Sequence, residues 1–154
     1  MDFEENLRKA GYTIAVNATK NAKPFEGAVK VGNLLFVSGH AGRVDGKLLH
    51  PGTVGKDVTL EEAQETAVAA FICCLRAVKE KIGDLNAIDH FVNIKGYVAC
   101  TPDFKDIGKV MNPVTDLCNH VFGESGKHTR AALGMSALPG GTSVEVEIII
   151  SLKD

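Results

Sequence analysis

One arginine and two glutamates stand in an otherwise small and apolar stretch, TRAALGMSALPGGTSVEVEIII, near the end of the 154-residue chain. They are Arg130, Glu145 and Glu147. A guanidinium group keeps its charge and offers a planar fork of N–H donors, which can grip a carboxylate or a phosphate. A carboxyl group whose pKa is raised by burial can exchange protons near neutral pH. These residue types therefore suit a site that anchors a small anion and moves a proton.

A structural interpretation of the same residues stays open. The turn Pro139-Gly140-Gly141 separates two β-prone runs, and the apolar surroundings lead us to expect that Arg130 is partly buried. Buried charges are usually paired within the protein, so Arg130 can instead form an ion pair with Glu145 or Glu147 across a hairpin. On residue chemistry alone the ion pair is slightly favoured. The two glutamates can equally form a polar seam between subunits.

Other residue types give weaker signals. His40 follows a strand end in VSGH, where connecting loops often carry function, whereas the other four histidines have no evident partner. The four cysteines form no CxxC motif and no Cys/His spacing typical of zinc. No phosphate-binding loop and no nucleophile elbow is present. The sequence therefore offers no metal motif, and its thiols suggest a reduced, cytoplasmic location.

Composition narrows the classes of function further. A chain of 154 residues predicts a single domain with a core that needs no disulfides. The formal net charge of −2 gives no broad electrostatic reason to bind nucleic acid. Every uninterrupted apolar run is far too short to span a bilayer, and no secretion signal is evident. We therefore expect no membrane partner and a cytoplasmic protein.

Periodicity predicts the elements that position these residues. A helix is expected over 59–82, because Thr59 and Glu62 form a capping box and Gly83 can end the helix. Residues 28–39 are predicted to form a β-hairpin, and residues 88–100 a strand. A second helix is expected to start at Asn112-Pro113, and the alternating SVEVEIII run predicts a last strand.

This order predicts an α+β fold, with a mixed sheet of about six strands and two helices on one face. We divide the chain into an N-terminal lead, 1–23, which can form a short helix, and a single domain, 24–154. Two helices cover only one face of such a sheet. The apolar strands favour burial of the other face by another subunit, so we expect a homo-oligomer.

The motifs VGNLLFVSGH, LEEAQETAVAAF, TPDF and the R…LP…VE.E ending together resemble the Rid family of reactive-intermediate deaminases. It is also called the YjgF family, and many members are labelled L-PSP endoribonucleases. The resemblance runs from Pro24 to Leu152. It implies a chorismate-mutase-like fold and a homotrimer whose sites lie in clefts between subunits. It also implies hydrolysis of 2-aminoacrylate-like enamines and imines to 2-oxo acids and ammonia, without metal or organic cofactor.

The resemblance also implies roles for individual residues. Arg130 falls on the arginine that grips the substrate carboxylate, and Glu145 on a glutamate that positions or activates water. Ser38 and Gly39 fall on the SG pair that lines the cleft. Asn112 falls on an asparagine that opens the second helix. The expected partners are thus a small carboxylate-bearing metabolite and two further copies of the chain.

Two positions depart from the deaminase pattern. Phe25 stands where deaminases have a tyrosine, and Ala132 where they commonly have a cysteine, so a hydroxyl and a thiol are missing from the expected substrate-binding set. The first hypothesis is a hydrolytic deaminase. The alternative is a non-catalytic trimer that binds a small ligand or regulates another protein. An L-PSP-type endoribonuclease ranks last, because the sequence shows neither a basic groove nor a clear acid/base pair.

Overall fold

The computed structural model describes residues 1–16 and 23–154. Within these two ranges, three α-helices and seven strands are connected by loops and single 3₁₀ turns. In chain order they are α1 (Phe3–Lys9), β1 (Ala28–Val31), β2 (Leu34–Ala41), β3 (Arg43–Val44), β4 (Lys47–Leu48), α2 (Leu60–Ile82), β5 (Ile88–Ala99), α3 (Ile107–Phe122), β6 (Thr129–Met135) and β7 (Val144–Leu152).

A mixed sheet of five strands, in the order β1-β2-β7-β5-β6, forms the centre of the fold. All neighbouring strands are antiparallel except β5 and β6, which are parallel. Helices α2 and α3 pack on one face of the sheet, and α1 packs against α3. The predicted α+β class is confirmed. The main sheet has five strands instead of six, because β3 and β4 form a separate small hairpin around Asp45-Gly46.

Helix α2 begins and ends where the sequence predicts. The Thr59 hydroxyl accepts a hydrogen bond from the Glu62 N–H at 3.2 Å, and the Glu62 carboxylate accepts one from the Thr59 N–H at 3.0 Å. This reciprocal capping box satisfies two N–H groups that the helix leaves free. Gly83 ends the helix with a φ of 84°, a conformation that glycine adopts without strain. The helix is thereby fixed along the sheet.

Helix α3 begins earlier than predicted. It starts at Ile107, so Asn112 lies in its second turn and Pro113 lies inside the helix. Proline has no N–H, which leaves the Lys109 carbonyl without its usual helical donor. The side chain of Gln64 on α2 donates to that carbonyl at 2.8 Å. A tertiary contact thus compensates for the proline, and the expected start at Asn112 is wrong.

The side chains of the last strand, β7, alternate between the two faces of the sheet. Val144, Val146, Ile148 and Ile150 are buried beneath the helices. Glu145, Glu147 and Ile149 alternate with them and lie half-buried on the opposite face, which no helix covers. We call this second face the open face. It also carries exposed apolar side chains on other strands, among them Val29, Phe36 and Leu133.

Strands β6 and β7 do not form the expected hairpin. Strand β5 lies between them and runs parallel to β6, so the connection over 136–143 must cross the end of β5. Strand β6 is consequently the outer strand of the sheet. This topology places Arg130 two strands away from the glutamates of β7.

Candidate functional site

The first polar region surrounds Arg130 at the outer edge of the sheet, and we call it the β6 edge region. Arg130 lies opposite the buried Ile94 in the strand register, so its side chain leaves the sheet on the helix side. Its Nη1 donates to the Asn112 Oδ1 at 3.0 Å and to the Thr115 Oγ1 at 3.2 Å. Both partners belong to the first turns of α3. The helix therefore holds the guanidinium group in a fixed direction.

Further hydrogen bonds between uncharged groups support the position of Arg130. The His128 Nδ1 lies 2.5 Å from the carbonyl oxygen of Gly126, which can only accept, so in the neutral ring Nδ1 carries the proton. The Nε2 atom is then an acceptor, and it lies 3.3 Å from the Thr115 Oγ1. Thr115 can thus donate to His128 while it accepts from Arg130. None of these groups supplies a negative charge to balance the guanidinium.

The ion pair that residue chemistry favoured does not form. Arg130 is exposed, and among residues 1–16 and 23–154 it has no acidic partner. The reason is topological, because the glutamates of β7 leave the sheet on the open face whereas Arg130 leaves it on the helix side. Neither the expected partial burial of Arg130 nor its pairing with Glu145 or Glu147 is correct within one chain.

The second polar region lies on the open face and consists of Glu145, Glu147, Lys95 and Tyr97; we call it the open-face carboxylates. The register places Lys95 beside Glu147 and Tyr97 beside Glu145. The Tyr97 hydroxyl donates to the Glu147 carboxylate, and the Lys95 Nζ lies 3.6 Å from the same carboxylate. The bond to Glu147 raises the pKa of Tyr97 to about 12, so its hydroxyl stays protonated at neutral pH.

Glu145 differs from Glu147 because no cation accompanies it in the described part of the chain. Burial raises the pKa of the Glu145 carboxyl, and the negative charge of Glu147 raises it further. The carboxyl packs against Gly39, where an added Cβ would come within 3.1 Å of its Oε1 atom. A register shift in β2 between Val37 and His40 brings this glycine to the carboxyl. Glu145 is thus a confined carboxyl group suited to proton transfer.

Ser38 borders the same region. Its hydroxyl donates to the Glu26 carbonyl at 2.6 Å, and its backbone N–H donates to the Gly27 carbonyl at 2.9 Å. Together with Lys95 and Glu147 it lines an open-face cavity of about 390 Å³. The hairpin of β1 and β2 therefore forms one wall of the space in front of the carboxylates.

Three further candidates lie apart from the reactive groups. Phe25 precedes β1 and is 58% exposed, with the Lys23 Nζ 5.8 Å from its ring centre. Ala132 lies two residues after Arg130 on the same side of β6 and packs against the core. His40 lies on the helix side, where its Nδ1 is 2.6 Å from the Ser38 carbonyl. Burial lowers the pKa of His40, so it is a neutral histidine of the core boundary.

The structure thus gathers the predicted residues in two groups. Arg130, Asn112 and Ala132 lie at the β6 edge, whereas Glu145, Ser38 and Gly39 lie on the open face. Sequence reasoning missed Thr115 and Tyr97. Thr115 follows Asn112 by three residues on one helix face, and Tyr97 alternates with Lys95 along a strand, so both spacings carried a usable signal.

The described residues contain neither a metal-binding cluster nor a membrane-spanning helix. No three His, Cys, Asp or Glu side chains in 1–16 and 23–154 cluster closely enough to hold a metal ion. In the same ranges, no helix combines the length and apolar character needed to cross a bilayer.

Comparison with known proteins gives matches over almost the whole chain. A family model described as "YjgF/chorismate mutase-like, putative endoribonuclease" matches residues 4–150. Protein TCP17 of Trypanosoma cruzi is 31% identical over 150 residues, which cover 97% of this chain and 93% of the relative. The crystal structure of Atu1372, a protein of unknown function from Agrobacterium tumefaciens, superposes with a TM-score of 0.90 at 35% identity, over 99% of this chain and 94% of the other. A "putative endoribonuclease" from Shewanella oneidensis has the same TM-score at 25% identity, over 99% and 100% of the two chains.

Proposed function

Because the chain belongs to the YjgF/chorismate mutase-like family, we propose that it hydrolyses small enamines and imines to 2-oxo acids and ammonia. One observation carries the proposal. The guanidinium of Arg130 is held by the neutral side chains of Asn112 and Thr115, with no carboxylate beside it in the described residues. A fixed and unbalanced guanidinium binds carboxylates with two parallel hydrogen bonds. The substrate carboxylate therefore fits on Arg130.

The proposed hydrolysis needs few catalytic groups from the protein. An enamine first takes a proton at its terminal carbon and loses one from its nitrogen, which makes it an imine. A water oxygen then attacks C2, protons move from the water to the nitrogen, the C–N bond breaks and ammonia leaves as the carbonyl forms. Glu145 suits these transfers, because its raised pKa lets it hold a proton, release it and take it back. No step needs a metal ion or an organic cofactor in this scheme.

Arg130 and Glu145 leave the sheet on opposite sides, so a small substrate does not touch both within one chain. We infer a homotrimer in which the β6 edge of one copy faces the open face of the next. Exposed apolar side chains on the open face, Val29, Phe36 and Leu133, support this assembly, because such a patch favours burial. Each site would then combine Arg130 of one copy with Glu145 of its neighbour.

The activity can be tested directly with an unstable substrate made in place. A pyridoxal-phosphate dehydratase acting on serine supplies 2-aminoacrylate, and the release of the 2-oxo acid is followed with a coupled dehydrogenase. We expect the protein to accelerate release over the spontaneous rate. The variant Arg8→Ala is the matched control, because Arg8 is an exposed arginine paired with Glu5 on α1, and it should be as active as wild type. Release at the spontaneous rate with wild-type protein would contradict the proposal.

A second candidate is a trimer that binds a small carboxylate without turning it over. The observation that favours it is the identity of Phe25 and Ala132, which supply neither a hydroxyl nor a thiol. A 2-oxo acid such as 2-oxobutanoate should then raise the melting temperature of the wild type and not of Arg130→Ala. Such stabilisation with no acceleration in the dehydratase assay would select this candidate over the deaminase.

The relatives named as endoribonucleases define a third outcome. RNA cleavage by this chain would have to depend on the same polar groups, so it should be lost in both Arg130→Ala and Glu145→Gln. Cleavage that persists in both variants, or that disappears during purification, would come from a contaminant.

A further inference from the structure

A wide cavity lies on the outer side of α2. It is a groove of about 670 Å³, which we call the outer α2 groove. Its volume is within the range of about 300–1,000 Å³ typical of small-molecule sites. Arg130 and Glu145 take no part in it. The residues of α2 that line it are Glu61, Gln64, Glu65, Val68, Ala69, Ile72 and Arg76, and the others are Tyr12, Arg43, Val44, Asp45, Leu49 and Pro113.

The middle of this groove is apolar on a helix that is already apolar on its core side. Phe71 and Leu75 bury the core side of α2 completely, yet Val68 and Ile72 place further apolar area on the outer side. Leu49 adds to the same surface from the neighbouring loop. The groove therefore has an apolar middle that is flanked by charged side chains, an arrangement that suits an amphipathic ligand.

Positive charge gathers at one end of the groove. Arg43 and Arg76 both line this end, where the Arg76 Nη1 lies 3.8 Å from the Cys73 Sγ and the Cys73 Sγ lies 3.6 Å from the backbone carbonyl of Arg43. The Arg43 side chain donates to the Gly46 carbonyl at 3.1 Å. In the described part of the chain, neither arginine forms an ion pair. Asp45 lies nearby on the β3–β4 turn, and this end therefore keeps one excess positive charge.

The opposite end is acidic. Glu61 and Glu65 lie in the first turns of α2, and the Glu65 carboxylate lies 2.8 Å from the His50 Nε2. With a rise of 1.5 Å per residue, Glu65 is about 16 Å from Arg76 along the helix. A second anionic group that reached this end would be repelled by the carboxylates. The groove thus discriminates against dianions and against polyanions such as nucleic acid.

We propose that the outer α2 groove binds a small amphipathic monoanion. Its charged head lies on Arg43 and Arg76, and its hydrocarbon body lies over Val68, Ile72 and Leu49. The concave shape favours a small molecule over a flat protein surface. The proposal does not depend on deaminase activity, because it uses different residues on a different face of the molecule.

Isothermal titration calorimetry with dodecanoate, below its critical micelle concentration, tests the site. We expect one saturable site per chain and an affinity about tenfold lower in Arg76→Ala and in Arg43→Ala, because each removes a charged partner of the head group. Arg130→Ala and Arg8→Ala should bind as wild type does. If Arg76→Ala does not fold, the exposed Arg43 gives the same test. Wild-type affinity in both groove variants, or no binding by the wild-type protein, would overturn the proposal.

Two matched ligands separate charge recognition from nonspecific hydrophobic binding. Dodecanedioate shares the chain length and should bind about tenfold more weakly than dodecanoate, because its second carboxylate reaches the acidic end. Glu65→Gln should recover part of the affinity for dodecanedioate. Dodecyltrimethylammonium, whose head suits the acidic end, should bind Arg76→Ala at least as well as it binds the wild type. An equal loss of affinity for the cation and the monoanion in Arg76→Ala would overturn the proposal, and so would loss of dodecanoate binding in Arg130→Ala with retention in Arg76→Ala.

Discussion

The β6 edge region and the open-face carboxylates differ in the charge they carry and in how that charge is satisfied. At the edge, hydrogen bonds with uncharged side chains direct a single positive charge, and no described residue supplies a carboxylate beside it. On the open face, Lys95 and Tyr97 contact Glu147, while Glu145 has no cationic partner within residues 1–16 and 23–154 and has a raised pKa. Each region thus keeps one charged or protonatable group available. Their roles differ, because one suits the binding of an anion and the other suits the movement of a proton.

This difference explains why neither region is a complete site. An anchor without a proton carrier binds but does not react, and a carboxyl without an anchor has no means to hold a small substrate in position. The two regions face away from each other in one chain, so the proposed site requires one region from each of two copies. The comparison therefore leads to variants that separate anchoring from proton transfer.

The largest effect is expected from Arg130→Ala. Removal of the charged bidentate partner should lower kcat/KM by about 10³-fold or more, since both binding and orientation of the carboxylate are lost. Steady-state assay with 2-aminoacrylate generated in place measures this effect. Arg130→Lys should recover only part of the activity, because an ammonium group cannot form two parallel hydrogen bonds. Full activity of Arg130→Ala would remove the residue from the site.

Glu145→Gln should lower kcat by about 10²-fold, the usual contribution of a positioned acid or base. The wild-type rate should fall as the pH rises past the raised pKa of Glu145, because the protonated form is then lost. The glutamine variant should lack that limb of the pH profile. An unchanged profile in the variant would show that another group transfers the proton.

Thr115→Val tests whether the hydrogen bonds of Thr115 direct the Arg130 side chain. The variant keeps the shape of the side chain and removes one hydrogen bond, so KM should rise about fivefold while kcat changes little. Thr115→Ser, which retains the hydroxyl group, is the matched control and should restore KM. A drop in melting temperature with no change in KM would instead assign Thr115 a purely structural role.

The smallest effect concerns stability. Between the usual carboxyl pKa of 4.5 and the raised value of Glu145, the folded chain binds more protons than the unfolded chain. Stability contributed by this group is therefore present at low pH and is lost as the pH rises through that window. Glu145→Gln removes the effect and should melt about 1 °C above the wild type at neutral pH. Equal melting temperatures at every pH would contradict the raised pKa.

Local signals predicted much of the fold. The capping box at Thr59 and Glu62 fixed the limits of α2, and strict alternation assigned both faces of β7. The start of α3 was missed, because the compensation for Pro113 comes from Gln64, a side chain distant in sequence. Such a contact leaves no local pattern.

The same limit applies to the site. Arg130 and Glu145 are separated by a proline–glycine turn, which suggested a hairpin and an ion pair. Parallel pairing of β6 with β5 overrides that local suggestion, and parallel pairing depends on residues far apart in the chain. Sequence therefore predicted which residue types could form a site, whereas their placement on opposite sides of the sheet required the topology.

The central claim is that one site uses Arg130 of one copy and Glu145 of another. Co-refolding equal amounts of Arg130→Ala and Glu145→Gln tests it most directly. If sites are shared in a cyclic trimer with random assortment, one site in four has both groups intact, and the mixture should recover about one quarter of wild-type activity. Each variant refolded alone should stay inactive. The shared site is contradicted if mass spectrometry demonstrates mixed trimers and the mixture is still no more active than the separate variants.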